Sequence, residues 1–430
     1  MAHFLWTQKE DIGPAPRFGH AMCYDSVRQR TFLFGGSGPE LFGDSWIWSG
    51  ELWTQVADTG PSPRRDHAMV FDAARSVALL FGGASERASL GDTWSWDGEN
   101  WTQVEDTGPA VRSGHAMAFD GSRSRVVLFG GDGATGPLGD TWEWDGNAWT
   151  QVEDTGPSPR SHHALAYDLT RQHTILFGGE NAQGLGFGDT WEWDGSNWTE
   201  IDDIGPSART RAAAVSTDAQ LVLFAGLSGT SANPVPTLFG DSWVFQAGKW
   251  SERQDMGPVG RWGHAMAFDT QRRTVVLFGG HVGVTLDDAT EVVKDTWEHA
   301  ETEPPSQPGS GGGGGSSGGG GVNPNSDIAQ LVLTPQSAQP GQMVTVQVNL
   351  TGPMQATIAI DLAWIVKSRW DALVNGDTPQ PNDFNLIGNV TIPPPNVSGT
   401  TAFSAPAAGE PIVVCAAENG MIAATAELAM

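Results

Sequence analysis

Five marks recur in the same order along the first three hundred residues: Gly-Pro-x-x-Arg, His-Ala-Met, an apolar run ending in Phe-Gly-Gly, Gly-Asp-Thr-Trp, and Trp-Thr. Phe-Gly-Gly begins at Phe34, Phe81, Phe129, Phe177 and Phe278, with Phe224-Ala225-Gly226 as a degenerate copy, in steps of 47 to 54 residues. A period of that size marks a unit that cannot bury its own faces and must stack on its neighbours. Inside one unit the signals are those of strands. Gly114-His-Ala-Met-Ala-Phe119 and Arg125-Val-Val-Leu-Phe129 are short apolar runs between turn residues. Thr141-Trp-Glu-Trp-Asp145 alternates with period two, and Asp145-Gly146 turns it tightly into Trp149-Thr-Gln-Val. Each unit therefore predicts a four-stranded antiparallel meander, and radial packing covers both faces of such a sheet. The chain opens on an isolated fourth strand, Phe4-Leu-Trp6-Thr-Gln, and the repeats end on an isolated third strand, Lys294-Asp-Thr-Trp297-Glu-His. The two complement each other. An all-β, six-bladed β-propeller is expected over residues 1–301, its last blade completed by the N-terminal strand.

The apolar run before a double glycine, followed by spaced aromatics, resembles the kelch repeat, the type found in bacterial kelch proteins and in the central propeller of galactose oxidase. The resemblance recurs six times in register; it departs in placing Trp48, Trp96, Trp144 and Trp193 where the family usually has tyrosine. It implies a propeller that commonly binds proteins, glycans in some secreted cases, and an extracellular or cell-surface location. Galactose oxidase chemistry needs copper held by tyrosines and histidines, one tyrosine being bonded to a cysteine. Here Tyr24 and Tyr167 share a repeat slot with Phe71, Phe119 and Phe268, so they read as core aromatics. No copper site and no other cofactor is expected.

Residues 302–325 hold Pro304-Pro305, Pro308 and a Gly/Ser run from Gly311, the composition of a flexible linker. Residues 326–430 then show strand-like runs at Leu331-Val-Leu, Met343–Leu350, Ala356–Asp361 and Ile412–Ala416. Their spacing suits a β-sandwich, and Leu-Thr-Pro followed by Gly341-Gln-Met-Val-Thr-Val resembles bacterial immunoglobulin-like modules. Trp364 to Asn385 fits that pattern poorly and is expected to be a long loop.

A net charge of -27 makes non-specific binding to nucleic acid or to an anionic membrane unfavourable. No apolar run approaches the ~20 residues that span a bilayer, and residues 1–10 lack the features of a signal peptide. Cys23 and Cys415 read as small buried residues rather than a disulfide framework. A monomeric propeller is expected.

Polar residues repeated in every blade point to scaffold. His20, His67, His115, His163 and His264 are expected to bond the backbone of an adjacent blade, although as a ring they could also form a metal or ligand cage. Arg17, Arg64, Arg112, Arg160, Arg209 and Arg261 are expected to make ion pairs or backbone contacts, with Asp58, Asp106 and Asp154 as candidate partners. The aspartate of Gly-Asp-Thr-Trp is expected to cap its turn. Arginines in the turns between strands one and two, such as Arg28, Arg75, Arg123 and Arg272, either form a basic rim opposite the acidic blade connections or pair with neighbouring Asp25, Asp72, Asp120 and Asp269.

Function is better sought where the repeat breaks. From the last glycine of strand two to the Gly-Asp aspartate the separation rises from 8 residues in the first blade to 15 in the last two. Long loops on a rigid scaffold are where recognition concentrates. The candidate binding residues are Ser228, Thr230 and Asn233 in one loop and His281, Asp287, Asp288 and Glu291 in the other, with Asp287, Asp288 and Glu291 a weak cation candidate. The expected function is non-catalytic recognition of a protein or glycan partner, with the C-terminal module as tether or presenter. A structural part of a bacterial surface or secretion assembly, and an enzyme with an axial site, are the alternatives.

Overall fold

Six four-stranded sheets follow one another along the propeller, and the local sequence dictates each. In blade three the strands are Ala116–Asp120, Arg125–Phe129, Thr141–Trp144 and Trp149–Glu153, hydrogen-bonded in that order. The second strand is buried on both faces, which is why its sequence is continuously apolar rather than alternating. Blade six combines Ala265–Asp269, Thr274–His281 and Val292–Ala300 with the N-terminal Thr7–Gln8, so the last sheet is completed by the start of the chain. Lys9 N–H extends that pairing to Thr296 O at 2.8 Å. The computed structural model describes residues 4–9, 12–105, 107–201, 205–228, 236–253, 255–284 and 291–300, and seven strands beyond residue 327. For residues 4, 5, 105, 255 and 256 and for those seven strands, the description covers the backbone alone. Among the described residues there is no α-helix, and no helix is long and apolar enough to cross a membrane.

The outermost strands of the first three blades carry Trp-Thr-Gln-Val, and each is bulged. In blade one Gln55 pairs with Trp46 and Ala57 with Ser45, leaving Val56 out of the ladder and 38% exposed. A bulge at an outer edge twists the open row of backbone groups away from a flat template and opposes edge-to-edge pairing.

The repeated arginine joins the blades. Arg112 is buried, and its guanidinium grips Asp140 bidentately at 2.7 and 2.8 Å while donating to Gly130 O and Ala110 O. Its backbone bonds the preceding blade instead: Arg112 N–H donates to Leu90 O, and Gly83 N–H donates to Arg112 O. Side chain on its own blade and main chain on the previous one make this residue a staple, and all six blades have it. The expected partners Asp58 and Asp154 are therefore not the ones used, and Asp106 lies outside the described residues. The partners are the Gly-Asp-Thr-Trp aspartates, which also accept from the indole N–H two residues on, as Asp140 does from Trp142 at 2.7 Å. These aspartates do not serve as turn caps, because a buried guanidinium needs a carboxylate more than a turn needs a cap.

The fourth-strand tryptophan is a second stitch. Trp149 donates to Thr93 Oγ1 of the preceding blade at 3.0 Å and lies edge-on to that blade's Phe81, 5.4 Å between ring centroids. Trp53, Trp101, Trp198 and Trp250 repeat the bond to Thr296, Ser45, Thr141 and Thr190. Each indole lies flat on the glycine of a Gly-Pro mark, where an added Cβ would meet it at 2.5 to 2.8 Å. That contact is why the mark begins with glycine.

The histidines lie edge-on against the Phe-Gly-Gly phenylalanine of the preceding blade, His115 on Phe81 at 5.4 Å for example. The expected backbone hydrogen bond is not formed: both ring nitrogens of His20, His67, His115, His163 and His264 are buried without a hydrogen-bond partner among the described residues. Around the axis the first strands enclose a funnel of about 320 Å³ with Met22, Met69, Met117 and Met266 on its wall. Tyr24 and Tyr167 sit there among phenylalanines, 8% and 6% exposed. Cys23 is buried in the core.

The turn arginines act as clasps rather than as a free basic rim. Arg28, Arg75, Arg123 and Arg272 pair with Asp25, Asp72, Asp120 and Asp269 at 2.7 to 2.9 Å. Arg28 and Arg75 then reach the carbonyls of Asp97 and Asp145 in the next blade's third-to-fourth-strand turn. Arg171 differs, its guanidinium pairing with Glu192.

The chain divides into two compact units: Gln8–Arg253 with Pro258–Glu301, and Met1–Thr7 and Gln254–Gly257 with Thr302–Met430. In the second, Ile328–Thr334, Met343–Leu350 and Ser398–Ser404 form one antiparallel sheet. Asn385–Ile392, Ile358–Val366, Ile412–Glu418 and Met421–Leu428 form another. Trp364 and Asn385, the two ends of the segment read as a loop, are strand residues paired with each other, and residues 367–384 between their strands lie outside the described residues. Linker residues 302–325 lie outside the described residues.

Candidate functional site

Two positions after each staple arginine the chain reaches the axis, at Gly19, Asp66, Gly114, His162, Arg211 and Gly263. Their backbones form a closed circuit. Asp66 N–H donates to Gly19 O, Gly114 to Asp66, His162 to Gly114, Arg211 to His162, Gly263 to Arg211 and Gly19 to Gly263, at 2.6 to 3.2 Å. This geometry needs a left-handed backbone, with φ from 53 to 65° around the ring. Glycine adopts it freely, whereas Asp66, His162 and Arg211 hold it against a cost of roughly 1–2 kcal/mol each. Strained, ionisable residues at a mouth are where function is first looked for. The glycines between them make room: a Cβ at Gly19 would lie 2.7 Å from Asp66 Oδ1, and one at Gly114 would lie 2.8 Å from His162 Nε2.

The charges converge. Blades two and five face each other across a six-fold ring, and Arg211 Nη1 lies 3.8 Å from Asp66 Oδ1. Arg211 Nη2 is 3.9 Å from Glu180 Oε1, which is itself 3.2 Å from His162 Nδ1. Burial opposes the charge on Asp66, but Arg211 first, then His162 and Arg65, outweigh it and hold the carboxyl below its ordinary range. For Glu180, burial is likewise outweighed, by His162 and then Arg211. Both carboxylates are thus ionised at neutral pH.

Above the ring opens a cleft of about 720 Å³, between the strand two–three loops of blades three, four and six. Asp132, Ser161, Glu180, Asn181, Arg211 and Trp262 line it, with Leu227, Val284 and Pro137 as apolar wall. Asn181 Oδ1 accepts from the N–H groups of Gln183 and Leu185 and so shapes the blade-four loop. Trp262 holds the floor. It stacks on His281 at 4.8 Å and 17°, meets Phe18 edge-on at 5.2 Å, carries Arg211 over its ring at 5.3 Å and donates to Gly283 O at 2.8 Å. With Phe18, Leu227 and Val292 it forms a satellite core beneath the two long loops. Below the ring, a chamber of about 180 Å³ is walled by the five repeated histidines.

The proposed loop residues divide. His281 is fully buried, and its Nδ1 accepts from Gly283 N–H at 3.0 Å, so it supports the floor instead of lining the cleft. Ser228 closes the base of its loop, donating to Thr237 O and accepting from Thr237 N–H. Glu291 O accepts from Val282 N–H, and its carboxylate fills the space a Cβ at Gly283 would need. Thr230, Asn233, Asp287 and Asp288 lie outside the described residues. No group of three or more metal-ligating side chains forms among the described residues. The ring residues Asp66, His162 and Arg211 escaped the sequence reading, although one signal was available: a non-glycine at a slot that is glycine in the other blades.

Comparison with known proteins agrees with this geometry. The KLHDC2/KLHL20/DRC7 kelch-repeats domain model matches residues 43–166 and 143–313. No curated protein sequence matches the chain. The solved structure titled "Structure of YjhT" is similar at a TM-score of 0.51 and 13% identity, covering 67% of this chain and 95% of that one, a likeness of fold. Six staples, five double-glycine turns with Ala225-Gly226 in the remaining blade, and a closed axial circuit accord with that repeat, and the chain belongs to the kelch-repeat family.

Proposed function

We propose that this protein is a non-catalytic recognition module that holds a protein partner at the axial mouth of its propeller, the C-terminal module serving as tether or presenter. The observation that carries this reading is the cleft of about 720 Å³ on which four blades converge with Arg211, Glu180 and Asp132. The family supports it in general terms, since kelch propellers typically mediate protein interactions. The test uses the full chain on arrayed peptides and glycans, comparing wild type with Arg211→Gly. Glycine occupies this ring slot in three blades, so the variant keeps the fold. Binding to a peptide that Arg211→Gly loses, with the folded circular-dichroism spectrum retained, is the expected result. Equal binding by both proteins would remove the site, and Arg211-dependent binding confined to glycans would replace the protein partner with a glycan.

The 3.2 Å approach of His162 to Glu180 favours a second reading, an enzyme using the two as an acid–base pair. Turnover of a chromogenic ester or glycoside that is abolished by His162→Gln would establish it in place of the first.

A further inference from the structure

We infer that the cleft receives a cationic side chain, the lysine ammonium or arginine guanidinium of a partner protein; this rests on the recognition reading above and names the chemistry of its anchor.

The argument begins with the charge balance. Asp132 and Glu180 line the cleft, and Asp66 lies on the axial ring 3.8 Å from the lining Arg211. Counting histidine as neutral, the opposing cations are Arg211, already divided between Asp66 and Glu180 at 3.8 and 3.9 Å, and Arg65, 3.9 Å from Asp66, and neither pairs with Asp132. Asp132 is half-buried, and its carboxylate has no hydrogen bond or ion pair among the described residues. A carboxylate partly withdrawn from water without a counter-charge is stabilised by an incoming cation. Ser161 is a second open group: it is 2% exposed, it lines the cleft, and its hydroxyl has no partner among the described residues. A hydroxyl accepts readily from an ammonium or guanidinium N–H.

Shape and field agree with that charge. Leu227, Val284 and Pro137 offer apolar surface on which the methylene stem of a long cationic side chain lies while its head reaches the carboxylates. A net charge of -27 draws cationic segments toward the molecule and repels anionic ones. An anionic ligand would meet two lining carboxylates, Asp132 and Glu180, against one guanidinium, Arg211, which argues against it.

The experiment is calorimetric titration of the full chain with the peptide Ac-Gly-Gly-Lys-Gly-Gly-NH2 and with its norleucine and glutamate counterparts. The lysine peptide is expected to bind about tenfold more tightly than the norleucine peptide, with affinity falling as salt rises. Asp132→Asn should weaken it by about tenfold, while Glu51→Gln, an exposed turn residue on the opposite face, should leave it unchanged. Equal binding of the norleucine peptide, no binding of the lysine peptide, an unchanged Asp132→Asn, or an equal loss in Glu51→Gln would each overturn the inference. If a non-cationic ligand from the array still depends on Arg211, the recognition reading stands and only its cationic anchor falls.

Discussion

Arg112 shows what one residue does in this fold. Arg112 is 1% exposed, and four hydrogen bonds, to one carboxylate and two carbonyls, make its buried charge tolerable. Burial penalises the Asp140 charge, yet the bond to Arg112 outweighs it and holds the carboxyl below its ordinary range. Removing one partner of a buried pair strands the other, at a cost of about 3–5 kcal/mol. Arg112→Ala should lower the denaturant midpoint accordingly, and Arg112→Lys should recover little, because an ammonium cannot reproduce the bidentate fork. Full recovery by lysine would show that charge alone, without geometry, holds the blades. The sequence identified this residue as scaffold, but its partner lies 28 positions away on a strand start whose aspartate looked like a turn cap.

At the scale of the element, the double glycine is the sensitive point. The first glycine of each pair is left-handed, Gly130 at φ 61°, and a Cβ there would lie 2.7 Å from Arg160 O of the next blade. Ala225 holds the same slot in blade five at φ 59°. Gly130→Ala should therefore destabilise by at least about 1–2 kcal/mol, from backbone strain plus the displaced carbonyl. Ala225→Gly should cost nothing or add a few tenths of a kcal/mol, since strain relief roughly offsets the freer unfolded chain. Thermal melts of both variants check the pair; equal losses would mean that blade identity, not backbone conformation, sets the tolerance. The strands themselves were legible because alternation and turn residues are local signals. The bulges at Val56, Val104 and Val152 were not, because a bulge is a property of two paired strands.

Across the whole molecule, the five repeated buried histidines make folding sensitive to acid. Burial chiefly, helped by the adjacent staple arginine, pushes His67, His163 and His264 down to about 3 and lowers His20 and His115 as well. These rings stay neutral in the folded protein while the unfolded chain takes up protons near 6.5, so stability is full above that pH and falls below it. Each histidine contributes a slope of about 1.4 kcal/mol per pH unit in the window from about 6 down to about 3. The staple aspartates, with lowered carboxyl ranges, add their own loss only below about 4. The melting temperature should therefore begin to drop near pH 6, well before carboxylates titrate, and His115→Gln should flatten the slope. A profile level down to pH 4.5 would mean that the rings are already protonated in the folded state.

The sequence by itself determined the blade count, the strand order and the closure by Thr7–Gln8, because each follows from marks repeated in register along the chain. It also separated scaffold residues from the breaks in the pattern, and it named candidate residues on the two long loops, of which Thr230, Asn233, Asp287 and Asp288 lie outside the described residues. The tertiary structure assembled the candidate cleft. Asp66 and Arg211 are far apart in sequence, and nothing local announces that they meet. Only closing six blades into a ring brings blades two and five face to face. That closure sets an aspartate, a histidine and an arginine on one strained backbone circuit at the base of a shared cleft.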